Sequence, residues 1–310
     1  MDQYDCTTWE DEIPGEPRVD DDLCAAVRTG RIGSVEQAVE DLQDYAGWPI
    51  SLSRAIASSI EATNIPALCL LLSYATIDGE VAEAAATSEN IGIVRIILDH
   101  GWPINRALRG GMVPSILRQV IALVLVEQTL ISPSLAIHNV GFLDELLKLG
   151  ADPNAESNLG DTALSFAIRE GTMSVVKRLI AAGSNVTRGD LLHCVSRREP
   201  SEDIYELVTM LIDSGTPIDT YQWDNETAKC LRYGFPQGTA LHRACEEGNY
   251  PAVDALLRHG ADPHRLKKKQ ERLCPPSPLE ITNMRPHLGI RRLLEKHSQA
   301  RETSGDGFGS

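Results

Sequence analysis

Residues 160–186 read GDTALSFAIREGTMSVVKRLIAAGSNV. After Thr162, small and apolar residues recur at helical spacing as far as Ile168, and Gly171 follows. A second apolar pattern, VVKRLIAA, then runs to Gly183. A Thr at the start of a helix accepts a hydrogen bond from the backbone of its first turn. A Gly at its end adopts a positive φ without a Cβ clash. The stretch predicts a short helix, a tight turn, a longer helix, a Gly terminator and an extended turn.

The closing turn recurs along the chain. It reads GWPIS at 47, GWPIN at 101, GADPN at 150, GSNVT at 183, GTPID at 215 and GADPH at 260. Its glycines are spaced by 54, 49, 33, 32 and 45 residues. Each is preceded by a helical pattern such as IVRIILDHG (93–101), LDELLKLG (143–150), LVTMLIDSG (207–215) or VDALLRHG (253–260). An Ala-rich first helix stands upstream in LCAAVRTG (23–30) and TALHRACEEG (239–248). Self-similarity near a period of about 33 residues is the signature of a stacked-repeat architecture.

These motifs resemble the ankyrin repeat, best matched from Gly160 to Gly183 and from Thr239 to Asp262. The resemblance implies an all-α solenoid of about seven to eight helix-turn-helix units with short finger loops. Candidate units fall near 20–50, 51–79, 80–105, 106–154, 159–187, 190–220, 237–265 and 276–299. The domain reading is an acidic disordered tail over 1–19, the solenoid over 20–299 and a disordered tail over 300–310. The drifting repeats and the GWPI turns suggest a fungal member.

Two insertions break the period. Removing Val120 to Leu135 joins PSILRQ to AIHNVGFLDELLKLGADPN as a compact unit. The segment reads as a longer first helix with a loop, as an unspliced in-frame intron, or as a ligand-specific insertion. The second insertion, 216–238, holds Tyr221, Trp223, Tyr233 and Phe235. Loops on a rigid scaffold carry function and aromatics enrich at binding hot spots. The rings either anchor a partner or fold back to shield the neighbouring repeats.

Charge and cysteines narrow the function. The chain has 310 residues and a formal net charge of -15. That balance repels nucleic acid. The seven cysteines are odd in number and scattered, as reduced thiols are. Cys24 and Cys69 read as buried fillers on repeat helices. Residues 1–22 are acidic where a signal peptide needs a basic start, and no apolar run approaches the length of a membrane span. A cytoplasmic protein, or a nuclear one, is expected. Residues 265–272, RLKKKQER, form a basic stretch that reads as a solvated loop, a nuclear import tag or a contact for an acidic partner.

Catalytic patterns are missing. The sequence has no GxxxxGK[ST] loop, no GxSxG and no HExxH. His242 and Cys245 are spaced H-x-x-C, but His242 resembles the structural histidine of the repeat turn. The expectation is no enzyme, no cofactor and no metal. The resemblance implies protein binding through a concave face built from the ends of the first helices. Aligning the units places Arg28, Thr87, Arg169 and Glu246 there, beside Thr29, Ser88, Glu170 and Glu247. The candidate contacts are Tyr221, Trp223, Tyr233, Phe235, Arg169, Glu170, Glu246 and Glu247. The expected partner of the monomer is another protein, not a nucleic acid or a membrane. The alternative is a regulatory or adaptor subunit acting in the nucleus through 265–272.

Overall fold

A computed structural model describes residues 21–43, 52–106, 133–223, 225–284 and 287–305. The chain divides into two compact units, Met1–Trp102 and Pro103–Ser310. The architecture is all-α, an arrangement of paired helices as in a repeat solenoid.

The first unit stacks three helix pairs. They are α1 (Asp21–Thr29) with α2 (Ile32–Gln43), α3 (Ser53–Glu61) with α4 (Ile65–Leu72), and α5 (Gly79–Thr87) with α6 (Ile91–Asp99). First helices pack on one another, α1 on α3 and α3 on α5. Leu23, Ile56, Leu68, Val81 and Ile97 are fully buried between them. Asn64 shows how one residue joins two repeats. Its Oδ1 accepts from Ala67 N–H and caps α4, while its Nδ2 donates to the Val27 carbonyl of the preceding repeat at 3.0 Å.

The second unit opens with α7 (Pro133–Lys148). It continues with α8 (Ala163–Glu170), α9 (Met173–Ala181), α10 (Leu191–Ser196) and α11 (Asp203–Asp213). Next come α12 (Glu226–Leu231), α13 (Ala240–Glu247) and α14 (Tyr250–Arg258). A two-stranded hairpin follows, β1 (Lys267–Lys269) and β2 (Arg272–Cys274), and then α15 (Pro278–Met284) and α16 (Leu288–Gly305). First helices again stack in order, α8 on α10, α10 on α13 and α13 on α15. Leu164 and Leu241 are fully buried, as a seam position requires.

Polar side chains lock this register. Thr162 and Ser165 form a reciprocal capping box on α8, each hydroxyl accepting from the other's backbone N–H. The Ser165 hydroxyl also donates to the Gly189 carbonyl at 2.7 Å, and His193 Nε2 donates to the Gly238 carbonyl at 3.1 Å. The third residue of each of these first helices thus grips the entry of the next repeat. The closing turns are linked likewise. Asn105 Nδ2 donates to Gly150 O and Asn105 Oδ1 accepts from Asp152 N–H. Asn154 repeats the pattern with Gly183 O and Asn185 N–H. The Asn that closes each of these turns is therefore a cross-repeat clamp.

Several expectations change. Pro133–Lys148 is one continuous helix that takes in the last residues of the first insertion and runs through Gly141. A mid-helix Gly costs only about 0.5–1 kcal/mol, which is too little to force a break. Residues 120–132 of the first insertion, and the tails 1–19 and 306–310, lie outside the described residues. Helix α16 reaches Gly305, within the segment expected to be a disordered tail. The basic stretch is no simple loop: Lys267–Lys269 pairs antiparallel with Arg272–Cys274. Cys24 is buried, but Cys69 is exposed, because α4 buries Ala67, Leu68, Leu71 and Leu72 and turns position 69 outward.

Candidate functional site on the first-helix face and the finger insertion

The candidate site is built from the C-terminal ends of first helices and from residues 216–238. On α8, the Arg169 guanidinium lies over the Phe166 ring at 4.4 Å from its centre and pairs with Glu170 at 2.6 Å. On α13, Arg243 pairs with Glu246 at 3.3 Å and Glu247 at 3.5 Å. Glu246 also pairs with Lys267 of β1 at 2.5 Å. The four charged candidates on this face are thus engaged within the molecule. Arg197, between the two helices in the stack, makes no ion pair among the described residues. Partial burial and then neighbouring Arg243 lower its pKa, so an incoming anion would relieve it. In the first unit the corresponding threonines are exposed, and their hydroxyls bond back to their own helices: Thr29 donates to Ala26 O and Thr87 to Ala84 O.

The insertion is fastened at both ends. The Tyr221 hydroxyl donates to Leu266 O at 3.0 Å, and the Arg265 guanidinium lies 5.2 Å over its ring. Trp223 has a positive φ of 61°, an uncommon state for an aromatic residue. Its N–H donates to Asp190 Oδ2 at 2.8 Å, its carbonyl accepts from Gln237 Nε2 at 3.3 Å, and Arg232 lies over its ring at 4.8 Å. Gln237 and Lys268 exchange backbone hydrogen bonds, which joins the insertion to the hairpin. Between these anchors the short helix α12, capped by Asn225, carries Tyr233 and Phe235 into solvent at 67% and 61% exposure. The four rings therefore divide: Tyr221 and Trp223 are half-buried fasteners, and Tyr233 and Phe235 are displayed.

Two clefts border the insertion. One of about 420 Å³ lies among the turns at Gly160, Arg188 and Asp190 and the insertion residues Thr220 and Tyr221. The other, of about 200 Å³, lies between the insertion and the end of α13, walled by Trp223, Arg232, Phe235, Arg243, Glu246 and Lys267.

Burial shifts four titratable groups of the second unit towards their uncharged forms. Burial lowers the His193 pKa to about 4 and that of His242 to about 4. Thr239 N–H donates to His242 Nδ1 at 3.0 Å, so this ring closes the turn that opens α13. Burial pushes the Cys194 and Cys245 thiols up to about 12. Among the described residues there is no group of three or more His, Cys, Asp and Glu suited to a metal ion. Among them, too, no helix is long and apolar enough to cross a membrane.

Sequence reasoning missed Arg198, which lies in the polar segment SRREPSED (196–203) leading into α11. Its guanidinium donates to the carbonyls of Ile168 at 2.9 Å and Gly171 at 2.7 Å, and pairs with Asp203 at 2.7 Å. One part-buried side chain thus ties the end of α8 to the start of α11. The signal available in the sequence was an Arg five residues before an Asp at the start of the next helix.

The ankyrin repeat family model matches residues 238–268, which span α13, α14 and the start of the hairpin. The chain thus carries an ankyrin repeat at these residues. The mitochondrial disaggregase of Bos taurus is 34% identical over 126 residues, covering 41% of this chain and 17% of that protein. The human mitochondrial disaggregase is 30% identical over 148 residues, covering 41% of this chain and 21% of its own length. The chain thus matches about a fifth of the length of these relatives. Ankyrin repeats make the coarse assignment of a protein-interaction module. The relatives' names place them in mitochondria, which overturns the expectation of a cytoplasmic or nuclear protein. That expectation rested on acidic residues 1–22 and the basic stretch, and the latter is used structurally, with Lys267 tied to Glu246.

Proposed function

We propose that this ankyrin-repeat chain is a non-enzymatic module that grips a partner protein through the ends of its first helices and through the 216–238 insertion. The observation that carries the reading is the insertion itself. A segment pinned by Tyr221, Trp223 and Gln237 holds Tyr233 and Phe235 in water. Exposing two aromatic rings on a fastened loop costs hydration free energy that a shielding role would avoid. A pre-set loop loses little entropy when a partner covers it. Arg197 supplies a cation beside this surface.

The test is affinity purification of the tagged full chain with quantitative mass spectrometry. One stoichiometric partner protein is expected, and it should be lost from a Tyr233→Ala, Phe235→Ala double variant that keeps its helical circular dichroism. Recovery of no stoichiometric partner, or of a product formed in proportion to purified protein, contradicts the reading.

A further inference from the structure

We propose that the groove between the insertion and the end of α13, flanked by the β1–β2 hairpin through Lys267, docks an acidic, apolar-bearing peptide segment of the partner. The inference rests on the interaction reading above and names the chemistry of the segment bound. The chain as a whole carries -15, yet this finger gathers Arg232, Arg265, Lys267, Lys268, Lys269 and Arg272. Two of these are already neutralised: Lys267 by Glu246, and Lys268 by Glu271 at 3.2 Å. Lys269 and Arg272 face each other across the hairpin register, both are exposed, and neither has an ion pair among the described residues. Two adjacent unpaired cations repel each other, and a carboxylate between them removes that repulsion.

Arg232 adds a directional element. Its guanidinium is stacked on Trp223, and its side chain makes no hydrogen bond among the described residues. A stacked guanidinium presents its N–H fork edgewise and matches a carboxylate in two-point geometry. The Trp223 platform is itself fixed by Asp190 and Gln237. Among the described residues that line the groove, the one acid is Glu246, which is held between Arg243 and Lys267.

The apolar part of the occupant follows from the walls. The groove of about 200 Å³ is bounded by the Trp223 and Phe235 rings, and is smaller than the roughly 300–1,000 Å³ of small-molecule pockets. It suits a single inserted side chain. Phe235 of its wall is exposed, as are Leu231 and Tyr233 in the same insertion and Leu273 on the hairpin. Exposed apolar surface concentrated in this way marks an interaction site. A nucleic acid would also bring negative charge, but its dense phosphates would meet the strong negative field of the rest of the chain.

The experiment uses the full chain and a fluorescein-labelled peptide of Glu residues with one central Leu, followed by fluorescence anisotropy. Binding that weakens with added salt is expected, with none for the same peptide bearing Lys in place of Glu. Replacing its Leu by Ser should weaken it several-fold. Arg232→Glu and Lys269→Glu should each weaken binding by about tenfold or more, the effect of losing one charge-assisted contact, while helical circular dichroism is retained. Equal binding of the Lys peptide, no binding of the Glu peptide, full binding by both variants, or tighter binding of a labelled oligothymidylate would overturn the inference. A purified protein partner that binds both variants as well as the unchanged chain overturns the docking site alone. Failure to recover any partner while the acidic peptide still binds overturns the broader reading instead.

Discussion

Acidification from pH 7 to pH 4.5 should destabilise the second unit through His193 and His242. Both rings are buried, and burial lowers each pKa from 6.5 to about 4. For His193 the Gly238 carbonyl opposes the shift, while Arg243, Arg197 and His242 reinforce it; for His242, Lys267 reinforces it and Glu246 opposes it. A histidine with a depressed folded pKa stays neutral in the native state while the unfolded chain takes up a proton. Its contribution is therefore complete above about pH 6.5 and is lost as pH falls towards 4. At about 1.4 kcal/mol per pH unit, two units of acidification below pH 6.5 remove about 3 kcal/mol per histidine. Carboxylates act lower. Asp203 is opposed by its own burial, but hydrogen bonds from Arg198 and Ser201 hold its pKa below the usual carboxylate value, so its contribution is lost only below about pH 4. The assay is urea unfolding at pH 7, 5.5 and 4.5, followed by helical circular dichroism. The midpoint should fall steeply between the first and last values, and His193→Gln with His242→Gln should flatten that slope. An unchanged midpoint at pH 4.5, or the same slope in the double variant, would refute the reasoning.

Three further outcomes follow from packing. Leu164→Ala and Leu241→Ala should each cost about 2–5 kcal/mol in thermal or chemical unfolding, while Arg169→Ala, part-exposed and paired with its neighbour Glu170, should cost little. Arg198→Ala should cost about 3 kcal/mol, because it strands the carbonyls of Ile168 and Gly171 and the Asp203 carboxylate, and Arg198→Lys should restore only part of it, since an ammonium lacks the planar fork; equal stability of both variants would contradict the clamp. Phe235→Ala should weaken partner binding by roughly 2 kcal/mol with an unchanged melting temperature, whereas Trp223→Ala should lower both, because Trp223 is half-buried under Arg232.

The repeat was legible because its determinants are local. Thr162, Leu164, Ala167 and Gly171 each report a cap, a seam position, a close helix approach or a terminator within a few residues. Leu164 and Leu241 hold the same place in the two matched TAL motifs, and both are fully buried. Contacts between repeats were not readable, because their partners lie about one repeat away. Nothing near Asn154 announces that it bonds Gly183 and Asn185, and nothing near Arg198 announces Ile168. The same limit applies to the candidate site. Composition revealed the aromatic cluster of 216–238, but its division into fasteners and displayed rings depends on Asp190, Leu266 and Lys268, which are remote in sequence. Glu246 looked like a free surface acid because its partner, Lys267, arrives on a hairpin whose strands are too short and too basic to show as strands.

The central claim is that a partner protein is gripped by the first-helix ends and the insertion. Hydrogen–deuterium exchange of the full chain, free and saturated with its purified partner, tests it directly. The account predicts added protection at the ends of α8, α10 and α13 and across 221–237, with the second helices α9, α11 and α14 unchanged. Protection confined to those second helices, with 221–237 exchanging as in the free chain, would contradict it.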